Sequence, residues 1–147
     1  MAKIMIAKIG TDAHDMGVTV VERWLADAGH EVVNLGLYNS PRRVAEQAAK
    51  ERPDIVGLSF LGGEPVYLSG RVLDELREAG LGDTTLVAGG VLPPEVLREL
   101  EELGVAATFT PGTARETILE TLAALVAGER RNVPTAKPKA RTGAPGG

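Results

Sequence analysis

The chain alternates short apolar runs with amphipathic segments five times, and this alternation constrains its fold more than any other feature. The apolar runs begin near Lys3, Glu31, Ile55, Thr84 and Val105. Short apolar runs of this kind are typical of strands buried on both faces, and the segments between them have helical spacing. Strands joined by helices pair in parallel through right-handed crossovers. The sequence therefore predicts a five-stranded, doubly wound parallel sheet with helices on both faces.

Turn and cap residues indicate where the predicted helices begin and end. Gly29 is expected to end the first helix, Ser40 with Pro41 to begin the second, and Thr113 to cap the fifth. The expected α/β class is flavodoxin-like (Rossmann-like), with strand order 2-1-3-4-5. Ligands bind such sheets at the carboxyl ends of the strands, where the order reverses.

Composition limits the class of protein further. The chain has no cysteine and no long apolar run, which predicts a cytoplasmic protein without disulfides or membrane spans. Residues 1–128 carry 11 basic against 19 acidic side chains, so a nucleic-acid role is not expected. Residues 129–147 are basic and rich in Pro and Gly, and are predicted to form a disordered tail behind one folded domain, 1–128.

The loop after the first predicted strand offers one imidazole beside carboxylates. It reads Gly-Thr-Asp-Ala-His-Asp-Met-Gly over residues 10–17. A ligating histidine needs an acceptor on its other ring nitrogen, and Asp12 could supply one for His14. Gly17 would let the chain turn closely into the first helix. A lone loop histidine is more often an ordinary surface residue. What favours a ligand role for His14 is its predicted position where the strand order reverses.

Two later loops are poor in side chains. Ser59 ends the third predicted strand and is followed by a Gly-rich stretch, and Gly89-Gly90 follows the fourth. Missing side chains would let a flat ligand approach the backbone, although each glycine pair alone is typical of an ordinary turn. Together with His14, these loops describe a slot between sheet and helices.

Other occupants of this fold need different residues. A phospho-accepting receiver domain needs Asp after the third strand and Lys after the fifth, where this chain has Ser59 and Thr110. Flavin sites use Ser/Thr-rich first loops with stacked aromatic rings, whereas this loop is acidic and the chain has only five aromatic residues. A dinucleotide site would require Gly-x-Gly-x-x-Gly after the first strand, and no hydrolase nucleophile elbow is present.

Three elements occur in order on these loops: Asp12-x-His14-x-x-Gly17, Ser59-x-Leu61 and Gly89-Gly90. The pattern resembles that of cobalamin-binding domains in which histidine replaces the nucleotide base on cobalt. The resemblance covers about residues 3–126. Within this family the chain is most similar to the C-terminal domain of methylmalonyl-CoA mutase and to free-standing small subunits of related acyl-CoA mutases.

The resemblance implies a role for each motif residue. His14 would be the lower axial ligand of the cobalt, Asp12 its hydrogen-bonding partner, and Gly17 the turn that opens the groove. Ser59 and Leu61 would line the pocket for the displaced dimethylbenzimidazole. Gly89 and Gly90 would let the nucleotide tail pass against the sheet, and five flanking residues would contact the corrin or its tail: Thr11, Ala13, Asp15, Phe60 and Val91.

Enzymes of this family use adenosylcobalamin to rearrange a carbon skeleton, so the resemblance implies a subunit of an isomerase. It also implies a larger catalytic barrel subunit, in a hetero-oligomer without which this chain is inactive. Two alternatives remain open. The Gly-rich, acidic stretch Gly62-Gly63-Glu64 is more similar to the corresponding loop in the small subunit of glutamate mutase. Acyl-CoA mutases often carry a basic residue where this chain has Met16. A non-catalytic corrinoid carrier would share the motif.

Overall fold

A computed structural model describes residues 2–9, 16–36, 39–60 and 64–128, apart from the side chains of residues 16–19. These residues form five strands and five helices that alternate along the chain. None of the described helices combines the length and apolar character needed to cross a membrane. The elements are β1 Lys3–Lys8, α1 Met16–Asp27, β2 Glu31–Asn34, α2 Pro41–Glu51, β3 Ile55–Phe60, α3 Pro65–Glu78, β4 Thr85–Gly90, α4 Pro94–Leu103, β5 Ala107–Phe109 and α5 Arg115–Val126.

The described strands form one parallel sheet in the order β2-β1-β3-β4-β5. This confirms the predicted flavodoxin-like architecture. The chain moves outward from β1 in one direction to β2 and in the other to β3, so the strand order reverses beside β1. All five strands end at the same edge of the sheet, which we call the carboxyl edge. The predicted tail, 129–147, lies outside the described residues.

Helices cover both faces of the sheet and give the domain two cores. Helices α2, α3 and α4 pack on one face, where Met5 and Val56 are fully buried. Helices α1 and α5 pack on the other, where Ile4 and Ile55 are buried beside Leu25. Because neighbouring strand residues point to opposite faces and both faces are covered, the central parts of β1, β3 and β4 are apolar.

Most predicted caps are confirmed, and one is wrong. The Ser40 hydroxyl accepts a hydrogen bond from the Arg43 N–H at 3.1 Å, at the start of α2. Gly29 follows α1 with a positive φ of 95°. Thr113 does not cap α5, which begins at Arg115. Its hydroxyl donates to the Thr110 carbonyl at 2.6 Å and accepts from the Thr110 N–H at 3.2 Å, so it closes the preceding turn.

Candidate functional site

Four residues form one row across the sheet at the carboxyl edge. Lys8 of β1 pairs with Ser59 of β3, Ser59 pairs with Gly89 of β4, and Gly89 pairs with Phe109 of β5. Residues paired in register point to the same face of a sheet. Ser59 and Gly89, which come from separate predicted motifs, are therefore neighbours on the face that α1 and α5 cover.

A cavity of about 410 Å³ lies between this sheet face and the two helices. Its helical walls come from α1 through Val20, Val21 and Trp24, and from α5 through Ile118 and Leu122. The hydroxyl-bearing side chains of the lining come from the carboxyl edge: Ser59, Thr110 and Thr113. The cavity is thus an apolar slot with a more polar mouth.

Two glycines help to leave this space open. Gly57 and Gly89 both lie on the cavity face and both line it. A Cβ at Gly89 would stand 3.4 Å from the Phe109 carbonyl oxygen, and one at Gly57 would meet Val87 at 3.5 Å. Side chains could therefore fit against the protein at both positions, but they would occupy part of the slot. Glycine inside a strand often marks such a close approach.

Gly90 is needed for a different reason. Its φ is +138°, a conformation that residues with side chains rarely adopt. A Cβ at this position would overlap the carbonyl oxygen of Phe60 and come within 2.8 Å of the Phe60 carbonyl carbon. Only glycine therefore allows the last residues of β3 and β4 to approach as closely as they do.

Phe60 and Val91 occupy different surroundings. The Phe60 side chain is 2% exposed and packs in the core beneath α2, α3 and α4, on the sheet face opposite the cavity. The Phe60 ring therefore does not line the cavity. Val91 is 59% exposed just beyond β4, at the carboxyl edge.

Most of the predicted ligand loop lies outside the described residues, as do six predicted site residues: Thr11, Asp12, Ala13, His14, Asp15 and Leu61. Both flanks of that loop are described. Ile9 follows β1 at the carboxyl edge, and α1 begins at Met16 with Gly17 as its second residue. Within the part of the chain that the structure describes, no three His, Cys, Asp or Glu side chains cluster to hold a metal ion.

Three residues at the site were not singled out from the sequence. Gly57 carried a signal in its position inside a buried strand, which favours close approach of another group. Lys8 is only 4% exposed at the end of β1, and a lysine is rarely so buried. Trp24 belonged to the apolar stripe of α1, where a core residue and a ligand contact have the same pattern. Only the structure shows that Trp24 lines the cavity as well as packing against the core.

The second histidine of the chain lies at the opposite edge. His30 precedes β2, and its Nδ1 accepts a hydrogen bond from the Ala2 N–H at 3.1 Å. Burial, with a smaller contribution from the positive N-terminus, lowers the pKa of His30 below its ordinary value of 6.5. His30 is therefore a neutral acceptor that holds the start of β1, far from the cavity mouth.

Two known mutases share much of this sequence. The small subunit of 2-hydroxyisobutanoyl-CoA mutase from Aquincola tertiaricarbonis is 37% identical over 125 residues, which are 85% of this chain and 92% of that protein. A probable mitochondrial methylmalonyl-CoA mutase from Caenorhabditis elegans is 39% identical over 111 residues, which are 76% of this chain and only 15% of that enzyme. The chain is thus similar in extent to a whole small subunit and to a fraction of a larger mutase.

A solved structure and a protein family indicate the same class of protein as these two relatives. A cobalamin-binding protein from Desulfitobacterium hafniense superposes with a TM-score of 0.65 at 27% identity, over 75% of this chain and 53% of that one. A family described as the B12 binding domain matches residues 2–135. The resemblance seen in the three sequence motifs is confirmed, and this chain belongs to the B12-binding domain family.

Proposed function

We propose that this chain is the cobalamin-binding small subunit of an adenosylcobalamin-dependent mutase that rearranges acyl-CoA thioesters. The observation that carries the proposal is the apolar cavity behind Ser59 and Gly89, in a chain of the B12-binding family. The similarity to the small subunit of 2-hydroxyisobutanoyl-CoA mutase, across 92% of that protein, favours this substrate class. We infer that a larger subunit supplies the substrate site in a hetero-oligomer.

The cavity fits the nucleotide tail of a cobalamin. Its volume of about 410 Å³ falls in the range of roughly 300–1,000 Å³ that small-molecule sites occupy. Gly57 and Gly89 leave the sheet surface flat enough for a planar benzimidazole to lie against it. The hydroxyl of Ser59 at the mouth is suited to hydrogen-bond the polar part of the tail.

We assign His14 as the residue that would bind the cobalt, with Asp12 as the acceptor that would orient its ring. A base lodged in the cavity would be held away from the cobalt, which leaves a coordination site open to a nitrogen donor of the protein at the carboxyl edge. The chain has two histidines, and His30 is engaged at the opposite edge. His14 belongs to the loop that leaves β1 at the correct edge. A carboxylate behind a ligating imidazole fixes its tautomer and raises its basicity.

The remaining predicted residues surround the corrin in this arrangement. Thr11, Ala13 and Asp15 flank His14, Leu61 follows β3, and Val91 presents an exposed apolar side chain beyond β4. Phe60 contributes through its backbone, since its ring is buried on the other face. When bound, adenosylcobalamin supplies the organic radical that starts a carbon-skeleton rearrangement. The chain itself holds the tail, orients the cofactor and excludes water from the base.

Electron paramagnetic resonance of bound, reduced cobalamin tests the ligand assignment. The full chain is prepared with histidine carrying the heavy nitrogen isotope, loaded with cobalamin and desalted. Ligation by a protein histidine changes the nitrogen splitting of the cobalt signal from three lines to two, because the heavy isotope has a smaller nuclear spin. His14→Ala should remove the effect, and the control His30→Gln should retain it. An unchanged splitting would overturn the assignment, and failure to retain any cobalamin would overturn the whole proposal.

The partner is tested with the tagged full chain. A large subunit that co-purifies from the source cells should, together with the chain and adenosylcobalamin, rearrange 2-hydroxyisobutanoyl-CoA or another branched acyl-CoA. Neither subunit alone should do so. Co-purification with a methyltransferase, and no rearrangement, would contradict the mutase proposal and favour a corrinoid carrier.

A further inference from the structure

The inner part of the cavity differs chemically from its mouth. The strands run toward the carboxyl edge, whereas α1 runs back from it. Trp24 follows Val20 by four residues and therefore lies about 6 Å deeper along the helix. Trp24 packs against the core beside Leu25, which is 1% exposed. The indole thus lies toward the deeper end of the cavity, away from its mouth.

We call the side chains around this end the inner wall: Ile4, Ile6, Val87, Trp24 and Leu122. Four of them are aliphatic, and the fifth offers only an indole N–H, which donates and cannot accept. The hydroxyls of the lining belong to residues of the carboxyl edge, such as Ser59 and Thr110. Backbone groups of the paired strands are occupied within the sheet. A group that enters deeply therefore meets apolar surface.

We propose that the inner wall, which includes Trp24, selects cobamides by their lower base and favours a benzimidazole over a purine. The inference rests on the proposed function, because it assumes that the nucleotide tail enters the cavity. It adds a specificity for the cofactor, and it assigns Trp24 and Val87 as the residues that determine it.

Hydrogen bonding supplies the physical reason. Dimethylbenzimidazole presents methyl groups and ring carbons at the end remote from its sugar, whereas adenine presents an amino group and ring nitrogens that water normally solvates. Burying such groups without partners is unfavourable, and each lost partner weakens binding by roughly tenfold or more. The flat face of Trp24 also packs well on a planar apolar ring.

Three probes and a matched pair of variants test the proposal. The probes are cobalamin, its adenine-containing analogue and cobinamide, which has no base. Val87→Thr adds a hydroxyl to the inner wall, and Val56→Thr makes the same change in the opposite core, where Val56 is fully buried. Bound cobamide is measured by its visible absorbance after ultrafiltration of the full chain. The preference is the affinity for cobalamin divided by that for the adenine analogue, compared between variants so that intrinsic differences between the two cofactors cancel.

We expect Val87→Thr to lower this preference by roughly two- to tenfold, the effect of one new hydrogen bond. Val56→Thr should leave the preference unchanged at a similar cost in stability. Trp24→Ala should weaken cobalamin by roughly tenfold relative to cobinamide, and Trp24→Phe should recover most of that loss. Since Trp24 is the only tryptophan of the chain, quenching of its fluorescence reports binding independently in every variant that keeps it.

The outcomes separate this inference from the proposed function. If none of the three probes binds, the proposed function fails. A second outcome is that cobalamin and cobinamide bind equally well and that neither the Trp24 nor the Val87 variants change the preference. In that case the chain still binds corrinoids, but the cavity does not distinguish one lower base from another. That second result overturns the inference alone.

Discussion

Substitution of alanine for Gly89 should weaken cofactor binding, whereas the same change at the adjacent Gly90 should lower the stability of the fold. At Gly90 the new Cβ would overlap the carbonyl oxygen of Phe60, and the backbone φ of +138° is unsuited to alanine. At Gly89 the nearest atom to a Cβ is the Phe109 carbonyl oxygen at 3.4 Å, and no positive φ is present. Gly90→Ala therefore perturbs the fold, and Gly89→Ala perturbs the cavity that Gly89 lines.

The expected magnitudes follow from these contacts. Backbone strain costs about 1–3 kcal/mol, and forcing β3 and β4 apart costs about as much again. Gly90→Ala should thus lower the free energy of unfolding by roughly 2–6 kcal/mol, a large part of the roughly 5–15 kcal/mol typical of a domain. At about 4 °C per kcal/mol, the melting temperature falls by roughly 8–24 °C. Gly89→Ala should change stability by less than about 1 kcal/mol, since alanine is tolerated in a strand.

Thermal unfolding of the cofactor-free chain, followed by circular dichroism, measures the first effect. Retention of cobalamin after desalting measures the second. We expect Gly89→Ala to unfold near the wild-type temperature and to bind cobalamin more weakly, because its methyl group takes space from the base. Equal melting temperatures for the two variants would refute the steric reasoning, and undiminished cobalamin binding by Gly89→Ala would refute the placement of the tail.

Two further predictions concern the fold away from the cavity. Partial burial lowers the pKa of His30 in the folded chain, so the unfolded chain takes up a proton at this residue more readily. The stability that neutral His30 provides should therefore be complete above about pH 6.5. It should be lost as the pH falls toward the lower pKa of the folded state. Denaturant unfolding as a function of pH should show a shallower loss in His30→Gln, and equal slopes would contradict this role. Ser69 on α3 is fully buried, and its hydroxyl has no hydrogen-bond partner among the described residues. Ser69→Ala should therefore raise the free energy of unfolding by roughly 1 kcal/mol, and a loss of stability measured by urea titration would contradict this prediction.

Much of the architecture was predictable because it depends on local chemistry. Apolar runs such as Ile55–Leu58, separated by helical spacing, are sufficient to predict parallel strands, and the handedness of crossovers leaves few strand orders. Ser40 was recognisable as a cap because its hydroxyl accepts a hydrogen bond from Arg43, only three residues later in the chain. Thr113 was misjudged because two backbone groups of Thr110 compete for its hydroxyl, and the sequence does not show which wins.

The order of residues along the chain was sufficient to predict the fold class, the edge at which a ligand is expected to bind and the family motifs on that edge. The tertiary structure decided which residues share the cavity. Alternation along a strand shows that Ser59 and Phe60 point to opposite faces, but only the packing of α1 and α5 shows that the Ser59 face is the open one. The same packing places Trp24, from an ordinary apolar stripe, in the cavity wall. Such space depends on how whole layers fit together, and that fit is set by side chains far apart in the sequence.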